Sequence, residues 1–166
     1  MIKKNAAWLL TAVVLYAVQS SFLTRIVWNG ISAELLLLFI VSFSFLYGNR
    51  HGVWMGFCVG LLEDLTTGTF LGLNTFSKMI LGYVSGSFSK KVFKEQLFLP
   101  VLAVGMASLL QYFLFIIILL LLGYSLDPVE YNKRCLLPVL LMNMIWALPV
   151  NYLVRKVHTY LQKEKQ

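Results

Sequence analysis

The stretch GLLEDLTTGTFLGLNTF, residues 60–76, places two adjacent carboxylates, Glu63 and Asp64, at the close of an otherwise apolar run. Gly68 and Gly72 follow, and the apolar pattern then resumes. A carboxylate is costly inside a hydrophobic segment unless a partner compensates its charge. The stretch therefore predicts the end of one helix, an irregular connection through the glycines, and the start of a second helix.

The composition of the whole chain indicates what surrounds these acids. Of the 166 residues, 59% are hydrophobic and 13% are charged, and the mean hydropathy is +0.78. An average soluble domain is about half apolar and about a quarter charged. This apolar content exceeds what one soluble core can bury. We therefore expect a single integral membrane domain over residues 1–166, in contact with the lipid bilayer.

Six apolar segments divide the chain. In the hydrocarbon layer every backbone polar group needs an internal partner, so each segment predicts a helix. A perpendicular span needs about 20 residues, and the second and third segments are shorter; we place their ends in protein-lined or thinned parts of the bilayer. The predicted segments are approximately 6–23, 32–47, 52–65, 70–88, 99–123 and 135–154.

The basic residues predict an orientation. With the N-terminus in the cytoplasm, six spans place ten Lys and Arg residues inside and three outside, as the positive-inside rule favours. A five-helix arrangement would lose that bias. We therefore expect both termini in the cytoplasm and the two acids outside. The inner residues are Lys3, Lys4, Arg50, Lys90, Lys91, Lys94, Arg155, Lys156, Lys163 and Lys165, and the outer ones are Arg25, Lys133 and Arg134.

Glycines spaced four residues apart predict a close helix contact. Small residues on one face let two helix backbones approach in a membrane. We interpret the stripe as an intramolecular groove, with a docking face for another chain as the alternative. The glycines are Gly48, Gly52, Gly56 and Gly60 on the third predicted helix, and Gly82 and Gly86 on the fourth.

Lys78 is a cation within the fourth predicted helix. If Asn74 is the N-cap of that helix, Asp64, and with it Glu63, can pair with Lys78 or with the free amides at Asn74. The alternative is that both acids are solvated and Lys78 extends alone to the interface. The other polar residues within the spans are expected mostly to bond across helices: Gln19, Ser42, Ser44, Gln111, Asn143 and Asn151.

No pattern of residues indicates an enzyme, a cofactor or a metal site. The chain has no HExxH, GxSxG or P-loop motif. Adjacent residues of a helix point about 100° apart, so Glu63 and Asp64 do not form an acid–base pair facing one substrate. The two cysteines and two histidines lack metal-ligand spacing. The net charge of +7 comes without a basic helix face, so no nucleic-acid partner is expected.

The stretch GFCVGLLEDLTTGTFLGLNTFSKMILGYVSGSF, residues 56–88, resembles the rod shape-determining protein family MreD of bacteria. That family shows a Gly-x-x-x-Gly-Leu-x-x-Asp run followed by glycines and a Gly-Tyr-x-x-Gly element. The rest of the chain agrees with the family in length, charge and hydropathy. The matching residues are Gly56, Gly60, Leu61, Asp64, Gly68, Gly72, Gly82, Tyr83 and Gly86.

The resemblance implies a scaffold or adaptor of the cell-elongation machinery in the bacterial cytoplasmic membrane. Its implied partner is MreC, a bitopic membrane protein, and through it MreB, the peptidoglycan polymerase RodA and its class B penicillin-binding protein. The family is also similar to the substrate-binding subunits of energy-coupling-factor transporters, which are six-helix bundles. The alternative function is therefore a solute-binding subunit, with Glu63, Asp64, Asn74 and Lys78 as its polar cluster.

Overall fold

The computed structural model of the chain describes residues 2–21, 32–68, 72–88, 98–123 and 128–163. These ranges are helical apart from short turns, and no strand occurs in them, which confirms the all-α prediction. The helices are α1 (Ile2–Ser21), α2 (Leu35–Tyr47), α3 (Asn49–Thr67), α4 (Leu73–Ser87), α5 (Phe98–Leu121) and α6 (Pro128–Lys163).

Helix α2 is the centre of the bundle. It is only 13 residues long, and every residue from Leu35 to Phe45 is buried. A helix that is apolar on all sides is stable only when neighbours surround it, and α2 contacts each of the other five helices. The remaining helices are thereby arranged around one short apolar rod.

The most extensive helix pair is α3 with α4. Gly52, Gly56 and Gly60 face α4 so closely that a Cβ atom at any of them would overlap with α4 backbone. The α4 residues that these Cβ atoms would meet are Gly82, Lys78 and Thr75, respectively. The glycine face of α3 is therefore occupied by α4 of the same chain.

Several helix boundaries differ from the sequence prediction. Helix α3 continues to Thr67, and α4 begins at Leu73. Helix α6 runs without interruption from Pro128 through Pro138 and Pro149 to Lys163, so the predicted segment 135–154 is too short at both ends. Proline suits the first position of a helix, and hydropathy shows where an apolar run ends but not where a helix ends.

The outer faces of the bundle are apolar. Two stretches are long and apolar enough to cross a membrane, Pro100–Ile118 and Leu136–Lys163, and shorter apolar helices occupy Ala6–Ser21 and Leu35–Tyr47. Six spans therefore stay a prediction. Large apolar side chains are exposed on every helix except α2, among them Leu10, Trp54, Phe76, Met106 and Ile145. Such a surface suits lipid or a membrane partner.

Candidate functional site

Asp64 caps the N-terminus of α4 from the neighbouring helix. Its carboxylate is fully buried and accepts hydrogen bonds from the amides of Gly72 at 2.9 Å, Asn74 at 3.0 Å and Thr75 at 3.0 Å. The hydroxyl of Thr75 donates a fourth bond at 2.6 Å. The first amides of a helix have no partner within it and carry its positive dipole end. The carboxylate satisfies those donors and is stabilised by that dipole.

Two glycines allow the chain to turn from α3 into α4. Gly68, with φ +64°, follows α3, and Gly72, with φ +102°, precedes α4. Glycine adopts such positive φ values without the strain that a Cβ atom causes. The N-cap residue is thus Gly72, and the predicted Asn74 N-cap is wrong. Gly72 has no side chain that could cap the helix, and Asp64 of α3 supplies the acceptor oxygens instead.

Lys78 forms a buried ion pair with Glu63. Its ammonium group donates to Oε2 of Glu63, with the lysine side chain 0% and the glutamate side chain 9% exposed. Oε1 of Glu63 accepts a longer bond, 3.5 Å, from Nε2 of Gln19 on α1. The acids therefore divide two roles: Glu63 binds the cation and Asp64 binds the amides. The alternative of solvated acids with a free lysine is wrong, because all three groups are buried.

A second set of polar contacts surrounds Glu34, which directly precedes α2. Its backbone amide donates to Oδ1 of Asn143 on α6 at 2.9 Å, and its carboxylate accepts from Nε2 of Gln111 on α5. Nδ2 of Asn143 donates to Oγ of Ser108 on α5 at 2.9 Å. Glu34 thereby connects the start of α2 with both α5 and α6.

The two sets meet at the end of the bundle where α1 and α3 finish and α2 and α4 begin. Oε1 of Gln19 accepts from the backbone amide of Leu36 at 3.1 Å, and Glu34 interacts electrostatically with Lys78 and Glu63. Residues from all six helices or their first turns take part. We call this group the polar network: Gln19, Glu34, Glu63, Lys78, Ser108, Gln111 and Asn143.

Sequence reasoning found part of the polar network. The expected cross-helix bonds of Gln19, Gln111 and Asn143 are confirmed. Ser44 has no hydrogen-bond partner among the described residues and lies against Gly52 instead. Glu34 was missed, although a lone acid directly before the apolar run LLLLFIV is a signal of a helix start with a compensated charge.

The opposite end of the bundle is aromatic. The ring of Trp8 on α1 lies 5.1 Å from that of Phe43 and 5.7 Å from that of Tyr47, both on α2. The hydroxyl of Tyr47 is 2.8 Å from Nδ1 of His158 on α6. Tyr83, a residue of the sequence motif on α4, is 56% exposed on the outer surface. It takes no part in the polar network or in these aromatic contacts.

The polar network links helices rather than presenting reactive groups. Within the described ranges, no three His, Cys, Asp or Glu side chains are grouped to hold a metal ion. Of the residues considered for a solute pocket, Glu63, Asp64 and Lys78 all bond within the chain. Their donors and acceptors are therefore already engaged in holding α3 to α4.

Changing Asp64 to alanine is expected to destabilise the start of α4. Loss of the carboxylate leaves buried amides without an acceptor, which lowers the free energy of unfolding by about 2–3 kcal/mol. Asp64→Asn keeps one acceptor oxygen and should cost less. Thr75→Val removes only the hydroxyl contact and is the matched control. Unfolding of the purified protein in detergent measures the difference. If Asp64→Ala is as stable as the wild type, this carboxylate does not cap α4.

Comparison with known proteins gives one match. The family model described as MreD, rod shape-determining protein MreD, matches residues 2–163. No curated protein and no solved structure matches the chain. The family match includes all six helices and the whole polar network.

Proposed function

Because this chain belongs to the MreD family of rod shape-determining proteins, we propose that it is a non-enzymatic membrane scaffold of the bacterial cell-elongation machinery. The family assigns the chain to the membrane and to rod shape determination. In the proposed role it binds an MreC-like bitopic protein and, through it, couples MreB to RodA and its class B penicillin-binding protein.

The architecture supports a scaffold. Internal bonds engage the charges that a catalyst or a solute pocket would use, while large apolar side chains face outward on five helices. A scaffold in a bilayer needs a stable interior and exposed apolar faces for partner helices. The glycine face of α3 is covered by α4, so we propose that the partner binds another face of the bundle.

We further propose that all six helices cross or enter the inner membrane, with both termini in the cytoplasm. The end of α1 meets the start of α2 at the polar network, and the start of α1 meets the end of α2 at the aromatic cluster. Helices α1 and α2 thus run in opposite directions. The ten-to-three distribution of basic residues favours an orientation with the polar network toward the outside, in a bundle of the kind found in energy-coupling-factor substrate-binding subunits.

The family match over residues 2–163 carries this proposal, and copurification tests it. The tagged full-length chain is expressed with an MreC-like protein and, as a control, with an unrelated bitopic membrane protein. We expect the MreC-like chain to remain bound through detergent extraction and the control to be lost. Equal loss of both chains, together with retention of a small organic solute, would favour the transporter subunit instead.

A further inference from the structure

Glu34, which is half-buried, is the one acid at this end of the bundle for which the described residues provide no full positive partner. Glu63 is paired with Lys78, and Asp64 is bound by the amides of α4. The described side-chain contact of Glu34 is with the neutral amide of Gln111. A carboxylate that is partly withdrawn from water and lacks a cationic partner is costly in its charged form.

Gln111 shows a second imbalance beside it. The residue is 3% exposed, and its Nε2 donates to Oε2 of Glu34. Its Oε1 is buried and has no hydrogen-bond partner among the described residues. Buried acceptors are nearly always satisfied, so an orphaned one requires an explanation. Gln111 lacks a donor for its Oε1, Glu34 lacks a cationic partner, and these two side chains are in contact.

We propose that Glu34 is a proton-binding site, with its neutral carboxyl group donating a hydrogen bond to Oε1 of Gln111. A protonated carboxyl has one O–H donor and keeps an acceptor oxygen, and a carboxamide has one acceptor and an N–H donor. The two planar groups can therefore make two antiparallel hydrogen bonds. One proton satisfies the orphaned oxygen of Gln111 and removes the surplus charge of Glu34.

The surroundings of Glu34 fit this assignment. The charged groups that face it from the described helices are Glu63 on α3 and Lys78 on α4, and these two neutralise each other. The backbone amide of Glu34 bonds to Asn143 on α6, and Gln19 on α1 bonds to the backbone amide of Leu36 nearby; both side chains are uncharged. With Glu34 neutral, the polar network has no net charge. The inference stands independently of the proposed function, since it concerns only the folded chain.

The test is the pH dependence of unfolding of the full-length protein in detergent, compared with Glu34→Gln. A site that binds a proton more tightly in the folded than in the unfolded chain makes the folded state lose stability as pH rises, from the unfolded pKa up to the folded one. The wild type should therefore lose more stability than Glu34→Gln as the pH rises above 4.5, the ordinary pKa of a glutamate. Glutamine keeps both hydrogen bonds to Gln111, so its curve should lack this component.

Infrared spectroscopy provides the second measurement. The wild type at neutral pH should show the C=O stretch of a protonated carboxylic acid, and Glu34→Gln should lack it. If Glu34→Gln does not fold, Gln111→Leu serves for the assignment, because loss of the acceptor shifts the band. Absence of the band from the wild type overturns the proposal. The proposal is also overturned if sodium, but not choline, stabilises the wild type and has no such effect on Glu34→Gln. Sodium would then be the occupant of the site.

Discussion

Replacing Gly56 by leucine is expected to separate α3 from α4 and to lower the free energy of unfolding by about 3 kcal/mol, the upper end of the overpacking range. A Cβ atom at this position would overlap with the backbone carbonyl of Lys78. Backbone cannot move aside as a flexible side chain can, so the two helices must part. Their separation also strains the contact between Lys78 and Glu63. Thermal unfolding in detergent measures the loss.

Gly105→Ala is the matched control for this variant. Gly105 is a helical glycine on α5, and a Cβ atom there would lie 3.7 Å from the sulfur of Met144, an ordinary contact. Alanine is favoured over glycine in a helix by about 1 kcal/mol, so the control should unfold at or above the wild-type temperature. If Gly56→Leu is as stable as the wild type but loses its MreC-like partner, the glycine face binds that partner and not α4.

Replacing Lys78 by methionine should destabilise the protein by about 3–5 kcal/mol, the range for breaking a buried ion pair. The lysine is fully buried, and its removal leaves the carboxylate of Glu63 without its cation. Glu63→Gln should have a similar effect, because it leaves the ammonium group unpaired. The double variant Glu63→Gln/Lys78→Met should lose less free energy of unfolding than the sum of the losses in the two single variants. Denaturant unfolding of the four proteins measures the coupling.

Lys156→Met provides the control for loss of a lysine, since Lys156 is exposed on α6. A surface change of this kind stays within about 0.5 kcal/mol of the wild type. The exchange Glu63→Lys/Lys78→Glu should recover part of the stability that each single replacement loses. If Lys78→Met behaves like Lys156→Met, the buried pair contributes nothing to folding.

The sequence predicted the hairpin of α3 and α4 better than the rest of the bundle. Four-residue glycine spacing and a lone lysine within an apolar segment are local patterns with few physical solutions, so the close contact and the need for an acidic partner could be predicted. The choice between Glu63 and Asp64 could not, because it depends on the rotation of α3 about its axis. The cap of α4 was wrongly assigned to Asn74 because capping patterns consider only neighbours in sequence, whereas Asp64 lies on another helix.

The hydrogen-bond partners of Glu34 could not be predicted from the sequence, because they are distant along the chain. Its partners Gln111 and Asn143 are 77 and 109 positions away, and no periodicity connects them. Hydropathy does not predict the full length of α6, because the residues near Pro128 and in the C-terminal tail are polar. Helices extend beyond an apolar layer whenever their backbone bonds continue, as α6 does to Lys163.

The pairing of Lys78 with Glu63 also bears on how the newly made chain enters the bilayer. A lysine at the centre of an inserting helix costs about 2.5–3.5 kcal/mol at the translocon. Glu63 is synthesised 15 residues earlier, so its carboxylate is present when α4 arrives. In the proposed topology, in which α3 and α4 both enter the membrane, the two segments are suited to leave the translocon together as a preassembled hairpin. We then expect insertion, as well as the stability of the finished bundle, to depend on both charges.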